Sequence, residues 1–556
     1  MIIPSPVHRT SAGFTPALDN RVQWRMPPGG VAGTTPPAAA ASDEAPVDVA
    51  SRAAAGVRQG SFFDDWYNRI HLAPTALDVG NLVSAQTHQI EVWNAYRTSQ
   101  QLAAIAAQGN DGLTLTGPAA PPTTYAPLEA RTYTLSVDQD GPPVIDASWT
   151  FDFPSDDPVL VVIGRRVVVL AFRPNWRAGW RERLEWLTDV LEAWDGTEQR
   201  ISLREYPRRR FEYEILARGQ AATWLDALLV AWQARIYATP VWPDARLLTA
   251  DVLAGTTTLS VDTTDTDFHP AGLALLVKDY QTHESVEIAS MTAGSITLKR
   301  PLENTWPAGT KVVPARLARV GEVQTMRRIV DDAVVTRLAL AVDEDTVPAE
   351  TAADSGTVYQ GVPVLERPPN WSEPLEQGMV RAIVALDYRT GRVAVDDRTG
   401  QPLTMRKFEW LLGDRTDLGV FRAWLLARAG RLNATWVPSW SADLELAQDV
   451  SAGATSLVVR DINYRNYYQF ARGRQDIAIE LNDGTVFYRR IVAAAAGSPG
   501  EEVLSIDASL GQAVGVADVR RIMWMSLMRL ESDAAELLYE SDSIARCVLT
   551  LRGVVQ

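Results

Sequence analysis

Side chains able to do chemistry are few in this chain, and none is paired for it. The five histidines, His8, His71, His88, His269 and His283, fall in unrelated segments, with no HExxH run and no spacing that brings two imidazoles to one metal ion. Two adjacent carboxylate pairs, Asp64-Asp65 and Asp331-Asp332, invite comparison with glycosidase acids. Such acids face each other across a cleft at roughly 5–10 Å, whereas neighbours on a strand point to opposite faces, so these read as solvated or capping groups. No GxSxG, Walker or GxGxxG motif occurs. The single cysteine, Cys547, excludes an intrachain disulfide and a cysteine-rich metal site, and fits assembly in a reducing cytoplasm. Its setting, ARCVLTL, reads as a buried strand with an inert thiol. Taken together these residues predict a protein that is not an enzyme, with no catalytic, cofactor-binding or metal-ligating residue and no cofactor.

Charge and aromatic clusters point instead to contact surfaces. Arg208-Arg209-Arg210 is matched further on by Arg406-Lys407. Strand alternation sets Arg208 and Arg210 on one side of a sheet, so Arg208, Arg210, Arg406 and Lys407 are candidates for reaching carboxylates of a neighbouring subunit. Ion pairs within the chain, or a solvated face, explain them equally well. Among eighteen tryptophans, Trp242, Trp436 and Trp440 stand in proline-bearing turns. Packing in a core or at a subunit interface is preferred for them over stacking on sugars, because the same turn occurs twice.

That recurrence extends over much of the chain. RPNW (Arg173 to Trp176), RRRFEY (Arg208 to Tyr213), ATPVWPD (Ala238 to Asp244) and TTTLSVD (Thr256 to Asp262) are answered by PPNW (Pro368 to Trp371), MRKFEW (Met405 to Trp410), ATWVPSWSAD (Ala434 to Asp443) and ATSLVVRD (Ala454 to Asp461). The offset holds at 195 to 198 residues over these motifs and widens to 210 where LALAV at Leu338 meets VLTLR at Val548. A module has been copied in tandem, with a period far beyond the roughly 20–50 residues of solenoid repeats.

The elements that hold these motifs are mainly strands. At 556 residues, 46% hydrophobic and 22% charged, the chain predicts roughly three to five globular domains. Residues 1–60 form an Ala/Pro-rich arm that cannot bury a core of its own. Residues 61–160 alternate apolar and polar positions, as at Trp149 and Phe151 against Thr150 and Asp152, and predict an immunoglobulin-like β-sandwich. Copy one then spans 161–345 with a strand-rich insertion at about 249–314, and after an acidic linker at 346–360, copy two spans 361–556 with an insertion at about 447–521. Each copy carries one amphipathic helix, predicted over Thr223 to Arg235 and Asp417 to Arg431, with Asp417 as N-cap and Gly430 at the stop. Asn482-Asp483-Gly484 predicts a hairpin tip. A formal charge of −15 argues against a phosphate-binding surface. Neither a signal peptide nor an apolar run of 18 residues is present, so no membrane span is predicted.

The order GTEQR (Gly196 to Arg200), RRRFEY, helix, ATPVWPD resembles the distal tail protein family of long-tailed, siphovirus-like bacteriophages and related gene-transfer particles. Copy two keeps the helix end as LLARAGRLNATWVPSWSADL and carries DDRTGQP (Asp396 to Pro402) in place of GTEQR; the resemblance covers Leu160 to Gln556, apart from the insertions. It implies two tandem tail-tube-like β-sandwich modules with a flanking helix, in a non-enzymatic virion protein of the tail tip or baseplate. Such a protein forms or adapts a ring below the tail tube, is assembled in the host cytoplasm, and has the tube, hub and fibres as partners. A lumen passing phage DNA would gain from an acidic lining, without sequence-specific nucleic acid binding. Two copies per chain let a homotrimer match a six-fold tube, with a homohexamer as the alternative. A reading from another class is a host-surface recognition protein of the tail tip, binding glycan or pilus.

Overall fold

The computed structural model describes residues 66–82, 85–138, 141–142, 144–233, 235–343, 356–372, 374–469, 471 and 473–555. The Ala/Pro-rich arm and most of the acidic linker lie outside these residues, as do Asp64, Asp65 and His8. About half of the chain is strand and 8% is helix, so the fold is mainly β, built from several sheets.

Strand alternation organises the region before the repeats. Gln86–Asn94 runs antiparallel to Ala130–Val137, which also pairs with Leu113–Thr116. In a second sheet Val159–Arg166 pairs antiparallel with Val144–Asp152 and parallel with Ala76–Leu82. Trp149 and Phe151 turn into the core while Asp152 faces out. A small separate unit comprises Trp66–His71, Asn94–Gln100 and Tyr125–Glu129. Within it the Asn94 amide donates to the carbonyls of Thr98 (3.1 Å) and Ala126 (2.9 Å), and Arg97 lies over the Tyr67 ring.

Copy one is built on strands β1 (Trp180–Glu185), β2 (Arg208–Arg218), β3 (Ile236–Pro240), β4 (Lys311–Val320), β5 (Met326–Val330) and β6 (Ala333–Val342), with helix α1 (Gln220–Trp232). Copy two repeats the series as β7 (Glu376–Val380), β8 (Leu403–Leu412), α2 (Arg415–Arg428), β9 (Thr435–Pro438), β10 (Val519–Leu530), β11 (Ala534–Tyr539) and β12 (Ala545–Gly553). The pairings repeat too. β2 lies between β1 and β6 as β8 lies between β7 and β12, with Phe211 opposite Leu340 and Phe408 opposite Leu549. β6 also pairs with β4 and β5, and β12 with β10 and β11. Each insertion adds a strand to β4 or β10 and then a hairpin, irregular at Ile288/Ser290 in one copy and at Ile491/Ala493 in the other.

These strands follow from a period of two. Along β2, Arg209, Phe211, Tyr213, Ile215 and Ala217 turn inward, and along β8 Thr404, Arg406, Phe408, Trp410 and Leu412 do the same. One continuous core includes Trp180, Phe211 and Leu225 of copy one with Phe408, Trp410, Leu425 and Tyr539 of copy two, while each insertion has a smaller core of its own. α1 starts at Gln220, three residues before the predicted Thr223, and follows the N-cap Gly219, whose φ of 55° is open to glycine and strained for other residues. For α2 the expected N-cap is corrected by one turn. Asp414 caps the helix by accepting the Asp417 N–H at 2.8 Å, because only a residue with extended backbone can turn its side chain back onto the first turn. The helix ends through left-handed Ala429 (φ 49°) and Gly430 (φ 67°).

Candidate functional site

The two copies share one strand junction. β1 of copy one pairs with its own β2 along one edge and with β11 of copy two along the other, Trp180 lying opposite Tyr539 and Glu185 opposite Ala534. Alternation on β1 turns Trp180, Glu182 and Leu184 inward. A carboxylate thus enters an apolar core, where it is tolerated only if paired.

Its partners come from both copies. Arg209, inward on β2, donates to Glu182 Oε1 at 2.6 Å and 3.0 Å and reaches Asp267 Oδ2 at 2.9 Å. Arg316 grips the same Asp267 through two bonds of 2.7 and 2.8 Å and contacts His269 Nε2 at 2.5 Å. From copy two, the Tyr539 hydroxyl donates to Glu182 Oε2 at 3.0 Å, and Arg422 on α2 lies 3.6 Å from Glu182 and 3.8 Å from Asp244. Arg415, at the start of α2, bonds Asp244 Oδ1 at 2.5 Å and the Asp265 carbonyl at 2.6 Å. Gly419 allows this approach, since a Cβ there would come within 2.5 Å of the Asp265 carboxylate. Three buried carboxylates therefore face four guanidinium groups across the junction.

The electrostatics favour full ionisation. Burial works to raise the Glu182 carboxyl, but Arg422 and Arg209 beside it hold it below its ordinary value. Asp267 is held far below the carboxylate range, because Arg209 and Arg316 overcome its burial. Burial opposes the charge on Arg415, and Asp244 more than restores it. These ion pairs join Glu182, Asp267 and Asp244 of copy one to Arg415 and Arg422 of copy two as well as to Arg209 and Arg316 of their own copy.

A second set of contacts fixes the flank. The hairpin Thr188–Glu192/Glu198–Ser202 of copy one forms an arm beside copy two. Thr188 donates its N–H and hydroxyl to Asp533 at 2.8 and 2.9 Å, and Arg431 reaches the Thr188 carbonyl at 2.5 Å. Glu198 takes a bidentate pair from Arg529, both bonds 2.7 Å, and Arg398 lies 3.7 Å over the Trp194 ring.

The residues proposed from sequence as subunit contacts fall differently. Arg208, Arg210 and Lys407 are exposed, and Arg210 pairs at 3.6 Å with Glu185 of the same chain. Arg406, Trp242, Trp436 and Trp440, for which packing within the chain stood beside subunit contact, are buried inside the chain. Arg406 turns inward with Phe408 and bonds the carbonyls of Val437 and Pro438 at 3.2 and 3.1 Å; burial, with Arg474 adding to it, lowers its pKa to about 10. Arg209, Glu182 and Asp267 were missed. The signal was present for the first, since RRRFEY read at every second residue puts Arg209 on the face of Phe211 and Tyr213.

Asp331 and Asp332 are exposed at the turn from β5 to β6. Among the described residues no group of three or more His, Cys, Asp or Glu is placed to hold a metal ion, and no helix is long and apolar enough to cross a membrane. Cys547 is buried on β12, and burial pushes its thiol well up.

No family model matches the chain, and no curated protein matches it. Among solved structures it is similar to the secreted serine protease VesC from Vibrio cholerae at 9% identity and a TM-score of 0.15, over 48% of this chain and 48% of that one. The match thus spans about half the protease's length. It is also similar to the BSP domain of a biofilm-associated protein at 8% identity and a TM-score of 0.11, over 90% of this chain and 84% of that one. Likenesses this slight carry no argument about fold or activity.

Proposed function

We propose that this chain is a non-enzymatic structural protein of a phage tail tip or baseplate, related to distal tail proteins. In this reading its two copies are tube-like β-sandwich modules, preceded by an immunoglobulin-like sandwich, and they adapt a ring below the tail tube to tip proteins or fibres. The observation that carries it is the fusion of two repeats of one strand series, through β1 and β11, into a continuous sheet clamped by buried ion pairs. Such a junction transmits load and fixes the angle between modules, which a scaffold needs. Deleting the gene from a producing strain and imaging the released particles tests the reading. Tails that end without a tip, or fail to assemble, are expected; intact, infectious tails would refute it.

A second reading, host-surface glycan recognition, draws on one groove of about 350 Å³ lined by Pro368, Pro369, Trp371, Trp440 and Tyr488. Trp371 is 56% exposed there and offers a face for stacking on a sugar. Binding on a glycan array, lost in Trp371→Ala, would favour it.

A further inference from the structure

The two insertions meet the inward arginines of their copies in opposite ways. In copy one Asp267, from the insertion, gives Arg209 a carboxylate at 2.9 Å. In copy two the insertion brings Arg474, a second cation, whose charge joins burial in lowering the pKa of Arg406. Arg406 bonds the carbonyls of Val437 and Pro438, Arg474 bonds the Gly473 carbonyl at 2.9 Å, and among the described residues neither forms an ion pair. Asp443 eases both charges from a distance while accepting from the Ser439 hydroxyl and the Trp524 N–H. Buried charge of this kind calls for a counter-ion.

A cavity of about 250 Å³ lies beside Arg474, between the insertion and strands β8, β10 and β12, and its lining includes Gln401, Thr404, Tyr467, Tyr468 and Ser526. Two polar groups in its wall have no partner: Gln401 Oε1 and the Ser526 hydroxyl, in residues only 5% and 6% exposed. A polar atom cut off from water and left unbonded costs stability, so two of them on one cavity mark where ligand atoms would complete the bonding. Arg406 stands behind the same wall. It follows Thr404 on the inward face of β8 and bonds the carbonyl of Val437, which lies opposite Ser526 in the β9–β10 pair. Tyr468, Tyr464 and Trp524 stack in series at 6.0 and 5.8 Å, and Arg474 lies 6.0 Å over the Trp524 ring, so the cation is held in place before any ligand arrives. Tyr467, 74% exposed, carries the lining out to solvent.

We propose that this cavity binds a small oxyanion that also carries a hydroxyl group, of the hydrogen phosphate or hydroxycarboxylate class. Its anionic oxygens accept from the Arg474 guanidinium and the Ser526 hydroxyl, supplying the charge that Asp267 supplies in copy one. Gln401 Oε1 can only accept, so the ligand's O–H donates to it. The volume lies below the roughly 300–1,000 Å³ of ordinary small-molecule sites, which keeps the ligand small. This site goes beyond the tail reading and does not depend on it.

Titration calorimetry of the full-length protein with inorganic phosphate and with glycolate, at one ionic strength held by sodium chloride, tests it and separates the two classes. Saturable one-to-one binding of at least one probe is expected. Arg474→Gln should weaken it by about tenfold or more, the worth of one charge-assisted hydrogen bond. Ser526→Ala should weaken it by about threefold or more, and should leave the unfolding temperature without ligand unchanged or higher, since the hydroxyl it removes has no partner in the chain. Arg460→Gln, at an exposed position of the same insertion, should leave binding unchanged. Acetate, which lacks the hydroxyl, should bind more weakly than glycolate. No saturable binding of either probe would overturn the inference, as would binding that Arg474→Gln and Ser526→Ala both leave intact while circular dichroism shows them folded. Acetate binding as tightly as glycolate would overturn the part given to Gln401.

Discussion

The two copies have matching strands and opposite interiors. In copy one Arg209 sits between Glu182 and Asp267, with Arg316 completing the group, and copy two adds Arg415, Arg422 and Tyr539. In copy two Arg406, at the matching inward position, meets two carbonyls and the Gln377 side chain. The same backbone plan thus tolerates a buried cation in two ways. The difference teaches what each copy faces: copy one's ions are held in part by a neighbouring copy in the same chain, whereas Arg406 is held by carbonyls and an amide of its own copy.

Removing one member of the ionic cluster gives the largest expected effect. Asp267→Asn strips both Arg209 and Arg316 of their shared carboxylate and should destabilise the protein by about 3–5 kcal/mol, the cost of stranding buried charge. Arg406→Met in copy two removes the cation together with its need for a partner. It leaves only carbonyls to be resolvated or repaired, and should cost less than about 3 kcal/mol. Denaturant unfolding of both variants checks the order, and equal losses would mean that the ionic cluster is no costlier to break than the carbonyl site of Arg406.

Acid should separate the copies next. Glu182 and Asp267 have folded pKa values below their ordinary 4.5 and 3.8, so their contribution is complete above those values and is lost as pH falls through the folded values. Asp476 in copy two has the opposite sign, because burial raises its pKa despite the bond from Tyr359. Its neutral form is preferred in the fold, so its penalty declines as pH falls toward 3.8. Amide exchange at pH 7 and near pH 3, below both ordinary values, should show β1 and β11 losing protection in acid, while Asp476–Leu481 holds its own. Uniform loss over both regions would remove the contrast.

Much of this was legible in the residues. The inward run Phe211, Tyr213, Ile215 announced a half-buried strand, Trp149 and Phe151 did the same before the repeats, and Gly430 marked the end of α2. The clamp was legible only in part. Alternation singles out Arg209 over Arg208 and Arg210, and W-x-E-x-L at Trp180, Glu182 and Leu184 sets a carboxylate on an apolar face that demands a cation. Asp267 and Asp244 lie in irregular segments without period, and their partners are distant in sequence, so only the fold brings them together. For the tryptophans in duplicated turns core packing and subunit-interface packing both stayed open, because chemistry alone does not separate a buried indole from a docking one.

The helix starts give smaller effects with different origins. Gly219 opens α1 at φ 55° and ψ −128°, without a side-chain cap. Nothing lies within 4 Å of a Cβ there, so Gly219→Ala should lose about 1–3 kcal/mol through backbone strain alone.

α2 starts from Asp414, in extended backbone with φ −148°, whose side chain accepts the Asp417 N–H at 2.8 Å. Asp414→Ala should therefore cost about 1 kcal/mol, the worth of one N-cap bond, and Asp414→Ser should recover most of it because a hydroxyl reaches the same donor. Thermal unfolding separates the cases. If Asp414→Ala costs as much as Gly219→Ala and serine does not rescue it, the start of α2 is held by Arg415 clamping Asp244 of copy one, and the cap is secondary. The rescue thus weighs the helix's local signal against its grip on the neighbouring copy, which α1 lacks within the chain.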